Sequence, residues 1–164
     1  DLMSRPGREP EDPCDVDACR ESALRLLDAA DRPSGALRDR LIDKGYDDET
    51  VAAVVDRLIE VGLVDDESYA QSAVRYCVGR LMGYRGAVME LARKGVDRPL
   101  AERVCDEARM SGVFEDAAWE LGRRSAAKTQ GMNPKVRKRR FWSSGGRKGH
   151  DAETLRAVAH ELFD

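Results

Sequence analysis

Lys44-Gly45-Tyr46-Asp47 is the first of three copies of one short phrase, each followed by apolar residues at helical spacing. The other copies are Lys94-Gly95-Val96-Asp97 and Lys148-Gly149-His150-Asp151. A glycine after a basic helical segment is typical of a left-handed helix C-terminus, and an aspartate two residues later is typical of an N-cap. The glycines are 50 and 54 residues apart (95 − 45 and 149 − 95). A period of this size predicts stacked helical units.

The residues between these turns divide into helical stripes separated by breaks that contain Gly and Pro. The clearest stripe has the i, i+3, i+4, i+7, i+8 spacing of a buried helix face: Val51, Val54, Val55, Leu58 and Ile59. In the third unit, Ser143-Ser144-Gly145-Gly146 predicts an early interruption of the eighth helix, since an interior Gly costs about 1 kcal/mol relative to Ala.

The sequence therefore predicts an all-α protein of three tandem three-helix repeats, each similar to a helix-turn-helix unit. The repeats occupy residues 19–62, 63–111 and 112–164. Residues 1–18 contain three prolines and six acids without a hydrophobic period, so we expect this acidic N-terminal segment to be disordered.

Composition favours thin helical layers with wide solvated faces. Hydrophobic residues make up 41% of the chain, aromatic residues 5% and charged residues 36%. No apolar run approaches the roughly 20 residues that a bilayer requires, and no signal peptide is apparent, so we expect a cytoplasmic protein without membrane contact. The four cysteines lack zinc-ligand spacing, and Cys77 and Cys105 are predicted to lie in the core.

The basic residues concentrate near the C-terminus. Residues 123–148 contain ten bases and no acid: Arg123, Arg124, Lys128, Lys135, Arg137, Lys138, Arg139, Arg140, Arg147 and Lys148. A solvated face normally mixes both signs of charge, so we favour a surface that binds a polyanion or an acidic partner over a face that is merely solvated. We expect these side chains not to be needed for packing.

Several conspicuous residues also have plain structural explanations. Phe141 and Trp142 could stack on single-stranded DNA bases, but aromatic residues more often supply core area, which we favour. Asp65 is better explained as a helix N-cap than as half of an acid pair with Asp66. Tyr69 is expected to pack its ring between helices.

Motifs of catalysis and nucleotide binding are absent from the sequence. It has no Gly-x-x-x-x-Gly-Lys-Ser/Thr loop, no Gly-x-Ser-x-Gly elbow and no His-Glu-x-x-His. We therefore predict a protein that is not an enzyme and that uses no cofactor, catalytic residue or metal site.

Three segments together resemble conserved segments of one known family. Residues 63–70, Leu-Val-Asp-Asp-Glu-Ser-Tyr-Ala, resemble the opening of that family's central repeat. Residues 37–46 resemble the segment upstream of it. The stretches Gly83-Tyr84-Arg85 and 90–96 resemble the segment downstream. The family is RecX, regulators of the RecA recombinase, and the resemblance covers about residues 20–164 and is strongest in the first two repeats.

The resemblance implies an elongated, curved array of nine helices that acts as a monomer. It implies binding to RecA protein and to the RecA–DNA filament, with inhibition of recombination, ATP hydrolysis and co-protease activity, as part of DNA repair and the SOS response. Weak direct contact with DNA is also expected. The alternatives are a DNA-binding protein that uses helix-turn-helix-like units and a scaffold with another partner. The first repeat, with seven bases and ten acids, argues against direct DNA reading.

Overall fold

The computed structural model of the chain describes residues 9–164, and in that range it contains nine α-helices and no β-strand. The helices are α1 (Val16–Ala29), α2 (Ser34–Asp43), α3 (Asp48–Glu60), α4 (Asp66–Gly79), α5 (Tyr84–Arg93), α6 (Arg98–Met110), α7 (Val113–Lys128), α8 (Pro134–Arg147) and α9 (Ala152–Phe163). The prediction of an all-α protein is confirmed.

Contacts between the helices divide the chain into two units. The first contains the described residues up to Tyr69 together with Lys94–Val96, and the second contains Ala70–Arg93 together with Asp97–Asp164. The limits of the three repeats, 19–62, 63–111 and 112–164, stay a prediction.

The repeated phrase forms the expected helix ends, with one exception. Its glycines have positive φ angles of 107°, 102° and 84°, the left-handed conformation that glycine adopts without strain. Asp47 accepts a hydrogen bond from the Thr50 amide at 2.8 Å, and Asp151 accepts one from the Thr154 amide at 2.7 Å. Asp97 precedes α6 but its side chain makes no capping hydrogen bond. Pro99 explains part of this difference, because it removes one amide that an N-cap side chain would bind.

The first unit packs α1, α2 and α3 around one hydrophobic cluster. Four members of the predicted stripe on α3 belong to this core, with exposures of 1% at Val54, 3% at Leu58 and similarly low values at Val51 and Val55. The prediction for Ile59 is wrong, because its side chain is 42% exposed. Ile59, at position i+8, lies at the margin of the stripe, where the neighbouring helices no longer cover the side chain.

The start of α2 is held by residues distant in sequence. The backbone amide of Ser34 donates to the Asp66 carboxylate at 2.6 Å, and the Ser34 hydroxyl donates to the other oxygen of the same carboxylate. A Cβ added to Gly35 would lie 2.5 Å from the Gly95 carbonyl oxygen, so the second Lys-Gly turn lies directly against this helix end. Helix α2 therefore receives its N-terminal acceptor from Asp66 at the start of α4.

The second unit contains a core around Phe141, which is fully buried with Leu155, Val158 and neighbouring residues of α7 and α9. The predicted interruption of the eighth helix is wrong, because α8 continues through Gly145 and Gly146 to Arg147. Gly145 faces Leu155, and a Cβ there would overlap the leucine side chain. Close packing of α9 against α8 therefore requires a residue without a side chain at this position, despite its low helix propensity.

The segment expected to be disordered is partly ordered. Residues 1–8 lie outside the described residues, but α1 already begins at Val16, and Asp15 accepts a hydrogen bond from the Ala18 amide at 3.0 Å. The Asp47 amide donates to the Pro13 carbonyl at 3.0 Å. Residues near Pro13 thus satisfy backbone groups of the first Lys-Gly turn, a contact that has no local signature in the sequence.

Candidate polyanion-binding surface

Helices α7 and α8 carry nine of the ten bases predicted as a binding site, and the tenth, Lys148, is the C-cap residue of α8. We call this set of ten bases the basic surface. Its members differ in whether they form ion pairs or hydrogen bonds within the protein.

Two carboxylates from outside residues 123–148 neutralise part of the basic surface. Glu120 accepts from Arg123 at 3.2 Å and from Arg124 at 3.0 Å, and these hydrogen bonds hold the pKa of Glu120 below its usual value. The Asp164 carboxylate forms an ion pair with Lys138. The absence of acids from the linear stretch therefore overstates the positive charge of the folded surface.

Arg137 has a structural role, which contradicts the expectation that the basic side chains are not needed for packing. Its guanidinium donates to the Thr129 hydroxyl at 3.1 Å and to the Ala126 carbonyl at 3.0 Å. It also lies 5.4 Å from the centre of the Phe163 ring. Arg137 therefore joins α7, α8 and the end of α9, and its substitution would disturb the fold.

Four exposed bases make no ion pair with any carboxylate in residues 9–164: Lys128, Lys135, Arg139 and Arg140. We call these the unpaired bases. Two further members donate to uncharged acceptors, Arg147 to the Ser143 hydroxyl at 2.8 Å and Lys148 to the Arg80 carbonyl at 2.7 Å. The unpaired bases are the part of the basic surface that remains available to an external anion.

Part of the basic surface lines a cavity of about 420 Å³ that we call the basic pocket. Its five basic residues are Arg80, Arg124, Lys128, Arg140 and Lys148. Sequence reasoning missed Arg80, which follows α4 some 40 residues before the basic stretch. Arg80 comes close to the basic stretch through tertiary contacts. Lys148 and His150 both bind the α4–α5 turn, through the carbonyls of Arg80 and Leu81.

The other residues singled out in the sequence have mainly structural roles. Phe141 is fully buried and Trp142 is half-buried against the same core, so the preference for core packing is confirmed. Asp65 caps α4 by accepting from the Ser68 amide at 3.0 Å, as predicted. Tyr69 is half-buried.

Within residues 9–164, no cluster of three or more His, Cys, Asp or Glu side chains is arranged to hold a metal ion. In the same part of the chain, no helix has the length and apolarity needed to cross a membrane.

Residues 9–164 define the class as an all-helical protein with a partly unpaired basic surface. Comparison with known proteins then identifies the family. The model of the first three-helix domain of RecX matches residues 19–58. The regulatory protein RecX of Thermobifida fusca (strain YX) is 37% identical over 147 residues, covering 87% of this chain and 78% of that protein. The regulatory protein RecX of Streptomyces lividans is 32% identical over 158 residues, covering 95% of this chain and 82% of that protein.

This chain belongs to the RecX family of regulatory proteins. The match to the RecX of Mycobacterium sp. (strain JLS), 43% identical over 98 residues, covers 57% of this chain and about half of that relative, 52%. The crystal structure of RecX from Lactobacillus salivarius shares the fold, with a TM-score of 0.80 at 20% identity, over 90% of this chain and 96% of that one. A second crystal structure, of regulatory protein RecX, has a TM-score of 0.75 at 18% identity, over 88% and 73%.

Proposed function

We propose that this protein regulates RecA by binding RecA protein and its DNA filament, and that it inhibits recombination, ATP hydrolysis and co-protease activity. The observation that carries the proposal is sequence likeness to regulatory proteins named RecX along 87% and 95% of the chain. The proposal requires a cytoplasmic protein that works without catalysis of its own and binds the filament as a monomer.

The basic surface supports the proposal through its charge. A RecA–DNA filament exposes DNA phosphates and protein carboxylates, and an exposed ion pair contributes about 0.2–1 kcal/mol. The unpaired bases bear four such charges that no carboxylate in residues 9–164 compensates. Several weak contacts made together give useful affinity and remain reversible, which suits a regulator.

The direct experiment measures ATP hydrolysis by RecA on single-stranded DNA at increasing concentrations of this protein. We expect hydrolysis to fall, because a bound regulator hinders the turnover of filament subunits. Unchanged hydrolysis with this protein in excess over RecA would refute the proposal.

A charge-reversal pair tests the role of the basic surface. Arg139→Glu with Arg140→Glu removes two unpaired bases, whereas Arg40→Glu with Arg156→Glu makes the same change of net charge at exposed arginines elsewhere. We expect only the first variant to lose inhibition, and the loss to shrink at high salt, where the Debye length falls from ~10 Å at 0.1 M to ~3 Å at 1 M. Equal inhibition by both variants across the salt range would exclude the basic surface as a contact.

A further inference from the structure

The basic pocket is a strongly charged concavity. Its walls come from the end of α4, from α7 and from α8, all within the second unit. Five of its lining residues are Lys or Arg, and none is Asp or Glu. Its volume, about 420 Å³, lies in the range of small-ligand pockets. An anion of the size of one or two phosphoryl groups therefore has room to enter.

The charges at the pocket are only partly satisfied within the protein. Lys128 and Arg140 make no ion pair with a described carboxylate. Arg124 shares Glu120 with Arg123, so one negative charge serves two guanidinium groups. Lys148 donates to the Arg80 carbonyl, which leaves two of its three N–H bonds for other acceptors. Like charges that converge repel one another, and a bound anion would relieve that repulsion.

Hydroxyl groups add neutral donors to the pocket. The Thr129 hydroxyl already forms hydrogen bonds within the protein, because it donates to the Ser125 carbonyl at 2.7 Å and accepts from Arg137. Ser125 and Ser144 also line the pocket, and neither hydroxyl makes a hydrogen bond with another described residue. The pocket thus offers guanidinium, ammonium and hydroxyl donors from two helices.

The wall formed after α4 has a strained backbone. Leu81 has φ 61°, and it is the one non-glycine residue with a positive φ in the range that the structure describes. The other left-handed helix ends in that range use glycine. The Leu81 carbonyl accepts from the His150 ring at 2.8 Å, which fixes this turn against the end of α8. Backbone strain held by surrounding structure is common at binding sites. Arg80, which precedes Leu81, lines the pocket, and its guanidinium donates to the Tyr76 hydroxyl at 3.3 Å.

We propose that the basic pocket is a phosphate-binding site that takes one or two phosphoryl groups. A terminal phosphate or pyrophosphate offers more acceptor oxygens and more charge than a carboxylate, and successive phosphodiesters of a nucleic acid each supply one negative charge, which suits a pocket lined by five basic residues and two serines. The phosphate can come from a free polyphosphate or from the backbone of a nucleic acid. The site stands independently of RecA regulation, since binding is measured without RecA.

Calorimetric titration of the purified protein at low salt tests the site, with pyrophosphate in one arm and a short single-stranded oligonucleotide in the other. Arg140→Met and Lys128→Met each remove a pocket charge. Their matched controls, Arg139→Met and Lys135→Met, remove an exposed unpaired charge from the same basic surface outside the pocket. We expect each pocket variant to weaken binding about tenfold or more, as for loss of one charge-assisted hydrogen bond, and each control to have little effect.

The pattern across the two arms identifies the source of the phosphate. Pyrophosphate binding that depends on Arg140 and Lys128 supports a free polyphosphate. If only oligonucleotide binding depends on Arg140 and Lys128, the result supports a backbone phosphate. Equal losses in pocket and control variants, or no binding in either arm, would overturn the proposal. So would polyglutamate binding tighter than both phosphate ligands with the same dependence, because the site would then select carboxylates. Unchanged thermal unfolding of the four variants excludes misfolding as the cause.

Discussion

Substitution of Leu58 by Ala tests the packing of the first unit. Leu58 lies on α3 with 3% exposure, in the cluster that joins α1, α2 and α3. Its neighbour Ile59 has a side chain of the same size and is 42% exposed. The two residues are adjacent on the same helix, so Ile59→Ala is a matched control for loss of side-chain volume.

The magnitude follows from burial. Truncation of a buried leucine to alanine removes its transfer free energy and leaves a cavity, which together cost about 2–5 kcal/mol. Near-complete burial of Leu58 places it within that range. The half-exposed Ile59 loses much less buried surface, so we expect a cost below about 1 kcal/mol. For a chain of this length each 1 kcal/mol shifts the melting temperature by about 2–4 °C, so Leu58→Ala should lower it by roughly 4–20 °C.

Thermal unfolding followed by far-ultraviolet circular dichroism measures both variants. Tryptophan fluorescence is less suitable, because Trp119 and Trp142 both belong to the second unit and report on α1 to α3 only indirectly. If the two units unfold separately, the shift should appear in one transition and leave the other in place. Equal melting temperatures for Leu58→Ala and the parent protein, or equal losses for Leu58→Ala and Ile59→Ala, would refute the assignment of the core.

Two further predictions concern the second unit. Gly145→Ala should destabilise the protein by about 1–3 kcal/mol through overlap with α9. Gly146→Ala, with open space around its Cβ, should stabilise it by up to about 1 kcal/mol. Denaturant titration of both variants and the parent protein measures these changes. Burial lowers the pKa of His150 from its ordinary value of 6.5, and the hydrogen bond to the Leu81 carbonyl opposes this in part. The unfolded chain then binds a proton that the folded form resists, so stability should fall as the pH drops below 6.5, and His150→Gln should flatten this dependence. A steeper slope for the glutamine variant would contradict the burial of His150.

Local sequence signals predicted the features that depend on nearby residues. The left-handed glycine and the aspartate N-cap act within one helix turn, so Gly45 and Asp47 were identified from the repeated phrase alone. The α3 stripe was right for the four residues that face neighbouring helices. Ile59 was wrong because spacing alone cannot tell where the neighbouring helices stop covering the stripe.

Features that depend on distant residues could not be predicted in this way. The sequence alone predicts that Gly145 breaks the helix, because its contact with Leu155 of α9 is not visible in the local pattern. Glu120 and Asp164, both outside the basic stretch, compensate part of the charge of its ten bases. Arg80 lines the basic pocket only because the α4–α5 turn packs beside it. In each case the deciding partner lies in another helix, and its position is set by tertiary packing.

The most direct test of the account compares binding of this protein to RecA–DNA filaments and to the same single-stranded DNA without RecA. Immobilised oligonucleotide, with or without a RecA coat formed in a non-hydrolysable ATP analogue, allows both measurements at one salt concentration. The account predicts clearly tighter binding to the filament, because the proposed target includes RecA protein. Binding to bare DNA that equals or exceeds binding to the filament would contradict it and would favour a DNA-binding protein instead.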